Sequence, residues 1–369
     1  IMNLNNPIGY KSNQPLENPF IMNPFRFGGG SAVGSWKELD RTITASPLSD
    51  FSVGSLPDME YYMVLTNILG KNNSGVNWQM RMGNPTIDSG NNYAQRYSVN
   101  GGTDTTSTNR SNIQNGTNPT DQNQLNVAYI SNLSAQEKLM QSQGVDQMTA
   151  GATNPPSRGE YVGKWANTSN PISIIGATTG SGSYTFDTGS EMVVLGWDTT
   201  DTHTDTDNFW QELASVDYDA STPDELVTGT IPAKKYLWVQ AYINGTAVGL
   251  QDNTAFRFNG DTGNNYAWRN SSDGAADTTV INYNYLRTAQ GDKQNSFSNT
   301  FIVNNSANEK LLTCNTVKYT TAGAGTAANR NEMAGKWTNT SSQITNIKYY
   351  QSGTGSFDTG STLKVWGHD

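Results

Sequence analysis

Two aspartates sit in the same five-residue frame, Phe186-Asp187-Thr188-Gly189-Ser190 and Phe357-Asp358-Thr359-Gly360-Ser361. By type and spacing they are the residues here best suited to chemistry. One carboxylate from each half of a duplicated chain can share a proton and activate water, because two close like charges cannot both ionise. The frame also has a plainer use. Asp bonds nearby backbone amides and Gly accepts positive φ, so Asp-Thr-Gly also describes a tight turn.

The triplet is similar to the active-site triplet of aspartic proteases, which also follows Phe. The Val/Ile-rich surroundings of such a site are missing, and the second frame stands about ten residues from Asp369. Two β-turns are therefore expected. The two histidines, His203 and His368, sit beside no partner that would make a nucleophile–base pair. The chain contains no HExxH, GxSxG or phosphate-binding Gly-Lys-Ser/Thr loop. Asp198, Asp201, Asp205 and Asp207 could collect a Ca²⁺, but no glycine turn and no closing Glu accompany them. The preferred reading of 199–207 is a solvated acidic linker. No catalytic, cofactor-binding or metal residue is assigned, and no enzymatic activity is expected.

What must position any site is a duplicated fold. Gly163 to Ser169 (GKWANTS) returns as Gly335 to Ser341 (GKWTNTS), and Asn91 to Arg96 (NNYAQR) as Asn264 to Arg269 (NNYAWR). Ser134 to Leu139 (SAQEKL) returns as Ser306 to Leu311, and Trp36-Lys37-Glu38-Leu39 as Trp210-Gln211-Glu212-Leu213. The order is kept over an offset of roughly 170 residues, the length of a domain rather than of a solenoid repeat. The expected division is an arm over 1–33, one copy over 34–198, the linker and a second copy over 208–369.

Composition points the same way. Asn, Thr, Ser and Gly disfavour helix interiors and suit strands joined by turns. The 17 Tyr, 11 Phe and 9 Trp supply core material that disordered chains lack. Strand-like runs include Tyr61 to Leu65, Trp78 to Met82, Val127 to Ile130, Ile172 to Ile175 and Met192 to Leu195. The second copy offers Tyr236 to Ile243, Ala255 to Phe258, Thr300 to Val303, Ile344 to Tyr349 and Leu363 to Trp366. Alternation such as Trp78-Met80-Met82 marks half-buried strands. Ala135 to Gln141 and Ala307 to Leu312 read as one helical turn or as strand ends. The expectation is all-β: two tandem antiparallel β-sandwiches.

A net charge of −9 without a basic run argues against nucleic acid. No apolar run reaches membrane-spanning length, so no membrane partner is expected. Cys314 alone rules out an internal disulfide. Trp165 and Trp337 are expected in the core, with a sugar-binding platform as the alternative. The arm has no period; the choice is between a free tail and an extended arm docked on a neighbouring subunit, and the second is preferred.

The ordered pattern is clearest at Phe256 to Trp268, Gly335 to Ile344 and Phe357 to Gly367. It resembles a group of virion structural proteins of tailed bacteriophages. The first copy is more degenerate, with Met82-Gly83-Asn84-Pro85 where the second has Phe258-Asn259-Gly260-Asp261. The resemblance implies an extracellular virion component with a jelly-roll-like β-sandwich fold and leaves head or tail open; the preferred role is a capsid decoration or cement protein or another exposed capsid component. Its partners would be other virion proteins and further copies of itself. The alternative is a tail-fibre, receptor-binding or carbohydrate-binding module whose partner would be a host-surface glycan.

Overall fold

The computed structural model describes residues 35–71, 78–116, 123–180, 184–198, 207–245, 253–289, 295–319 and 323–369. The arm and most of the acidic linker, including His203, Asp201 and Asp205, lie outside the described residues. All regular structure within them is β-strand, and every pairing is antiparallel.

The first sandwich sets an eight-stranded sheet against a four-stranded one. The large sheet uses β1 (Lys37–Ile43), β14 (Glu191–Trp197), β3 (Tyr61–Ile68), β9 (Gln124–Ser131), β10 (Lys138–Asp146), β11 (Ser157–Trp165), β6 (Tyr93–Val99) and β7 (Thr105–Arg110), in that spatial order. The small sheet orders β2 (Asp50–Gly54), β12 (Ile174–Thr178), β5 (Gln79–Gly83) and β8 (Ile113–Gln114).

A short pair, β4 (Gly70–Lys71) with β13 (Thr185–Phe186), belongs to the first sandwich as well. The second sandwich repeats the order of the large and small sheets strand for strand. Its large sheet runs β15 (Gln211–Asp217), β26 (Thr362–His368), β17 (Tyr236–Asn244), β22 (Asn295–Val303), β23 (Lys310–Tyr319), β24 (Asn329–Trp337), β19 (Tyr266–Ser272) and β20 (Thr278–Tyr283). Its small sheet runs β16 (Glu225–Val227), β25 (Ile347–Gln351), β18 (Thr254–Phe258) and β21 (Leu286–Arg287).

Alternation fills each sandwich. Met80 and Met82 of β5, or Phe256 and Phe258 of β18, point inward, while Gln79, Arg81 and Arg257 between them are part-exposed. Trp78, Tyr93 and Trp165 share the first core; Tyr266, Trp337 and Tyr349 share the second. The segments near Ala135 and Ala307 make a turn and enter β10 and β23 at Lys138 and Lys310, so the strand-end reading holds.

A third apolar cluster joins the sandwiches. Met63, Leu65, Val127 and Val145 on the outer face of the first large sheet meet Trp210, Tyr236, Phe301 and Leu311 of the second. The molecule is thus four layers deep, small sheet, large, large, small. The linked large sheets are buried on both faces where they overlap.

Candidate functional site

The repeated motifs turn out to be scaffolding. Asp88 accepts from the Gly90 amide and from Asn92, each at 2.8 Å, and its carboxylate also receives the Trp165 indole N–H at 2.8 Å. Asp261 does the same with Gly263 at 2.8 Å, Asn265 at 2.9 Å and Trp337 at 2.7 Å. Tyr93 and Tyr266 then close the turn by donating to main-chain carbonyls. Both tryptophans are fully buried, so neither is a sugar platform. Burial pushes the Asp88 carboxyl up, but the bonds from Trp165, Asn92 and Gly90 outweigh it and hold it below its ordinary range.

The two Asp-Thr-Gly frames are β-turns. Asp187 accepts from the Thr188 amide at 2.8 Å, and Asp358 from the Thr359 amide at 2.7 Å. Ser190 and Ser361 follow, their hydroxyls accepting from the Leu69 and Asn244 amides, both at 2.9 Å. Each carboxylate is committed to its own turn. Lys138 and Lys310, the lysines of the SAQEKL and SANEKL repeats, are buried as well. Lys138 donates to the Leu133 and Gln136 carbonyls at 3.1 and 2.8 Å, and Lys310 to those of Asn308 and Asn339, both at 2.8 Å.

Polar groups tie the sandwiches together. Buried Glu191 accepts from the Tyr236 hydroxyl at 2.6 Å and from Arg41 at 3.2 Å, and pairs with Lys235. Burial and the facing Glu191 carboxylate push that hydroxyl well above the ordinary tyrosine range. Arg158 of the first sandwich reaches Asp277 at 2.7 Å and Glu332 at 3.1 Å in the second. No cluster of three or more His, Cys, Asp or Glu side chains able to hold a metal occurs among the described residues.

The open concavity lies elsewhere, on the outer face of the first large sheet. It is a groove of about 1030 Å³ whose walls include Trp36, Tyr61, Tyr129, Leu139, Val162 and Trp197. Tyr61 and Trp197 stack with centroids 5.2 Å apart, and Trp36 packs against Trp197 at 6.5 Å and Tyr129 at 6.3 Å. Gln95, Arg96, Gln141 and Lys164 give it a polar rim. The arrangement suits binding of a partner surface. Sequence reading placed Trp36, Gln95, Arg96, Leu139 and Lys164 in repeated motifs and Tyr61 and Tyr129 in strand-like runs, and read none of them as a site. A signal did exist: Trp197 stands where the second copy has His368, the two being matched by their pairing with Tyr61 and Tyr236.

No family model matches the chain, and no curated protein matches it. Among solved structures it is similar to the LG1-3 region of the laminin alpha2 chain, at 7% identity and a TM-score of 0.21, covering 86% of this chain and 64% of that one. Domains LG4-5 of the mouse laminin alpha1 chain follow at 9% identity and a TM-score of 0.18, covering 92% of each chain. Neisserial surface protein A stands at 5% identity and a TM-score of 0.14, covering 81% of this chain and 99% of that one. At such scores the likeness says nothing of what this chain does.

Proposed function

We propose that the chain is a non-enzymatic structural protein of a bacteriophage particle, an exposed capsid decoration or cement component. It works through contacts with copies of itself and with other virion proteins. The observation that carries this reading is the open apolar face of the first sandwich. The groups with the best chemical credentials, Asp187, Asp358, Lys138 and Lys310, are spent on turns, while Leu139 and Val162 stand in solvent. A contiguous apolar groove rimmed by polar side chains is the usual mark of a contact surface. The motif resemblance supplies the phage. The test is mass spectrometry of gradient-purified particles from the phage that encodes the chain. Many copies per particle are expected; absence from the particles would end the reading.

One observation favours a second reading. The stacked Tyr61–Trp197 pair in an open groove is a surface on which a sugar ring could lie. A glycan-array signal removed by Trp197→Ala would support a carbohydrate-binding role; an array with no signal would remove it.

A further inference from the structure

The internal contact between sandwiches is made by a tip and a patch. The tip is the segment 147–158 of the first sandwich. Its Gly151 amide donates to Glu309 at 2.5 Å, and its Gln147 and Thr149 carbonyls accept from Lys336 at 3.2 and 2.7 Å. The Ala152 carbonyl accepts from the Asn282 amide at 2.8 Å and that of Pro156 from Arg269 at 3.0 Å. Arg158 closes the tip on Asp277 and Glu332.

Each patch group has a counterpart on the first sandwich at the same strand position. Lys164 faces Leu139 as Lys336 faces Leu311, and Val162 faces Gln141 as Ala334 faces Thr313. Glu137 answers Glu309 and pairs with Lys164 at 2.7 Å, as Glu309 pairs with Lys336 at 3.5 Å. Arg96 and Asp104 answer Arg269 and Asp277, and Asn109 answers Asn282, with φ of 51° and 48°. The second patch is covered; the first is open. Leu139 is 55% exposed and Val162 49%, against 0% for both Leu311 and Ala334.

The tip has its counterpart too. Gly151-Ala152-Thr153-Asn154-Pro155-Pro156-Ser157-Arg158 returns as Gly323-Ala324-Gly325-Thr326-Ala327-Ala328-Asn329-Arg330. Gly151 and Gly323 share a left-handed φ, 89° and 94°, which only glycine adopts without strain. The free tip therefore has the docked tip's turn, and residues 323–328 are all exposed.

We infer that the tip-on-patch contact is made again between chains: tip 323–330 of one chain seats on the Glu137–Leu139–Val162–Lys164 patch of a second copy. The inference deepens the assembly reading above and rests on it. Charge is complementary, since exposed Arg330 would meet Asp104 and Glu160 as Arg158 meets Asp277 and Glu332. The patch is also continuous with the existing seam, where Tyr129, Gln141 and Val162 share a second cavity with Asn299, Phe301 and Asn315. The two sandwiches of one chain are not related by a two-fold, because Leu139 is open where Leu311 is buried. The contact is heterologous, so repeating it builds a ring or a filament.

Sedimentation velocity of the full chain over a concentration series tests this. Wild type should associate. Arg330→Asp on the tip and Asp104→Arg on the patch, both at exposed positions, should each weaken association by roughly tenfold or more. Mixing the two variants should restore association, because one brings an intact patch and the other an intact tip. Arg330→Ala and Leu139→Glu serve if either charge swap alters the melting temperature. A wild-type chain that stays single at every concentration overturns the inference. So does association that survives both variants, or that only the patch variant abolishes, which would put another occupant on the patch. If the contact is found but the chain is missing from purified particles, the virion reading falls alone. If the chain is in particles and both variants enter normally, the contact falls alone.

Discussion

Gln143 accepts a hydrogen bond from Asn315, its own counterpart in the second copy, at the centre of the seam. On either side of that pair the burial of the two strands runs in opposite senses. Along β10 the outer face passes from open Leu139 to buried Val145, and along β23 from buried Leu311 to Val317, which is 48% exposed. The sheets overlap with an offset, and the offset leaves one patch and one tip unused.

Trp337→Ala should destabilise its sandwich by roughly 3–5 kcal/mol, the usual loss for a buried large aromatic. Trp165→Ala should cost a similar amount, because it fills the same position and bonds the equivalent aspartate. Chemical unfolding monitored by fluorescence gives both values.

Stability should fall in acid partly through Asp88. Its folded pKa lies below the ordinary value, so its contribution is present above the unfolded pKa of about 3.9 and is lost as pH drops through the folded one. Unfolding curves from pH 6 down to pH 2 should show Asp88→Asn less acid-sensitive than wild type. Equal pH dependence would assign the acid response to other carboxylates.

Arg158 should be the most costly polar residue of the seam to remove. Among the described residues, Arg158→Ala leaves buried Asp277 with Arg269, 4.0 Å away, as cationic neighbour, a loss of roughly 3–5 kcal/mol for a broken buried pair. A double-mutant cycle with Asp277→Ala should return a coupling energy well above the roughly 0.5 kcal/mol scatter of independent sites.

Cys314 should be inert in the native state. It is buried, and burial pushes its thiol up to about 11, so the reactive thiolate is scarce at neutral pH. A thiol-reactive dye should label it only as denaturant unfolds the second sandwich.

Removing residues 1–33 should leave both sandwiches folded and weaken entry into particles. The arm carries Phe20, Ile21, Phe25 and Phe27 without a period that would let it form its own core. Thermal unfolding and assembly of a chain starting at Gly34 are measured side by side. A collapse of folding would make the arm part of the first sandwich.

The internal architecture was legible because turn chemistry is local. Asp-X-Gly-Asn-Asn-Tyr dictates its own hydrogen bonds, and the period-two runs point Met80, Met82, Phe256 and Phe258 inward wherever they occur. Strand starts were blurred where a turn is apolar. Ile172 and Ile344 are core residues, yet their strands begin at Ile174 and Ile347. The patch was not legible. Leu139 and Leu311 are the same letter in the same motif, and only the offset stacking of two sheets decides that one is buried and the other bare. That depends on contacts between residues some 170 apart, which no local pattern encodes.

Negative-stain imaging of the purified full chain at high concentration tests most directly the claim that this protein works by repeating one contact. The account predicts regular rings or filaments in which paired sandwiches recur at a constant spacing, and their loss in Arg330→Asp. Dispersed single two-sandwich molecules at every concentration would contradict it.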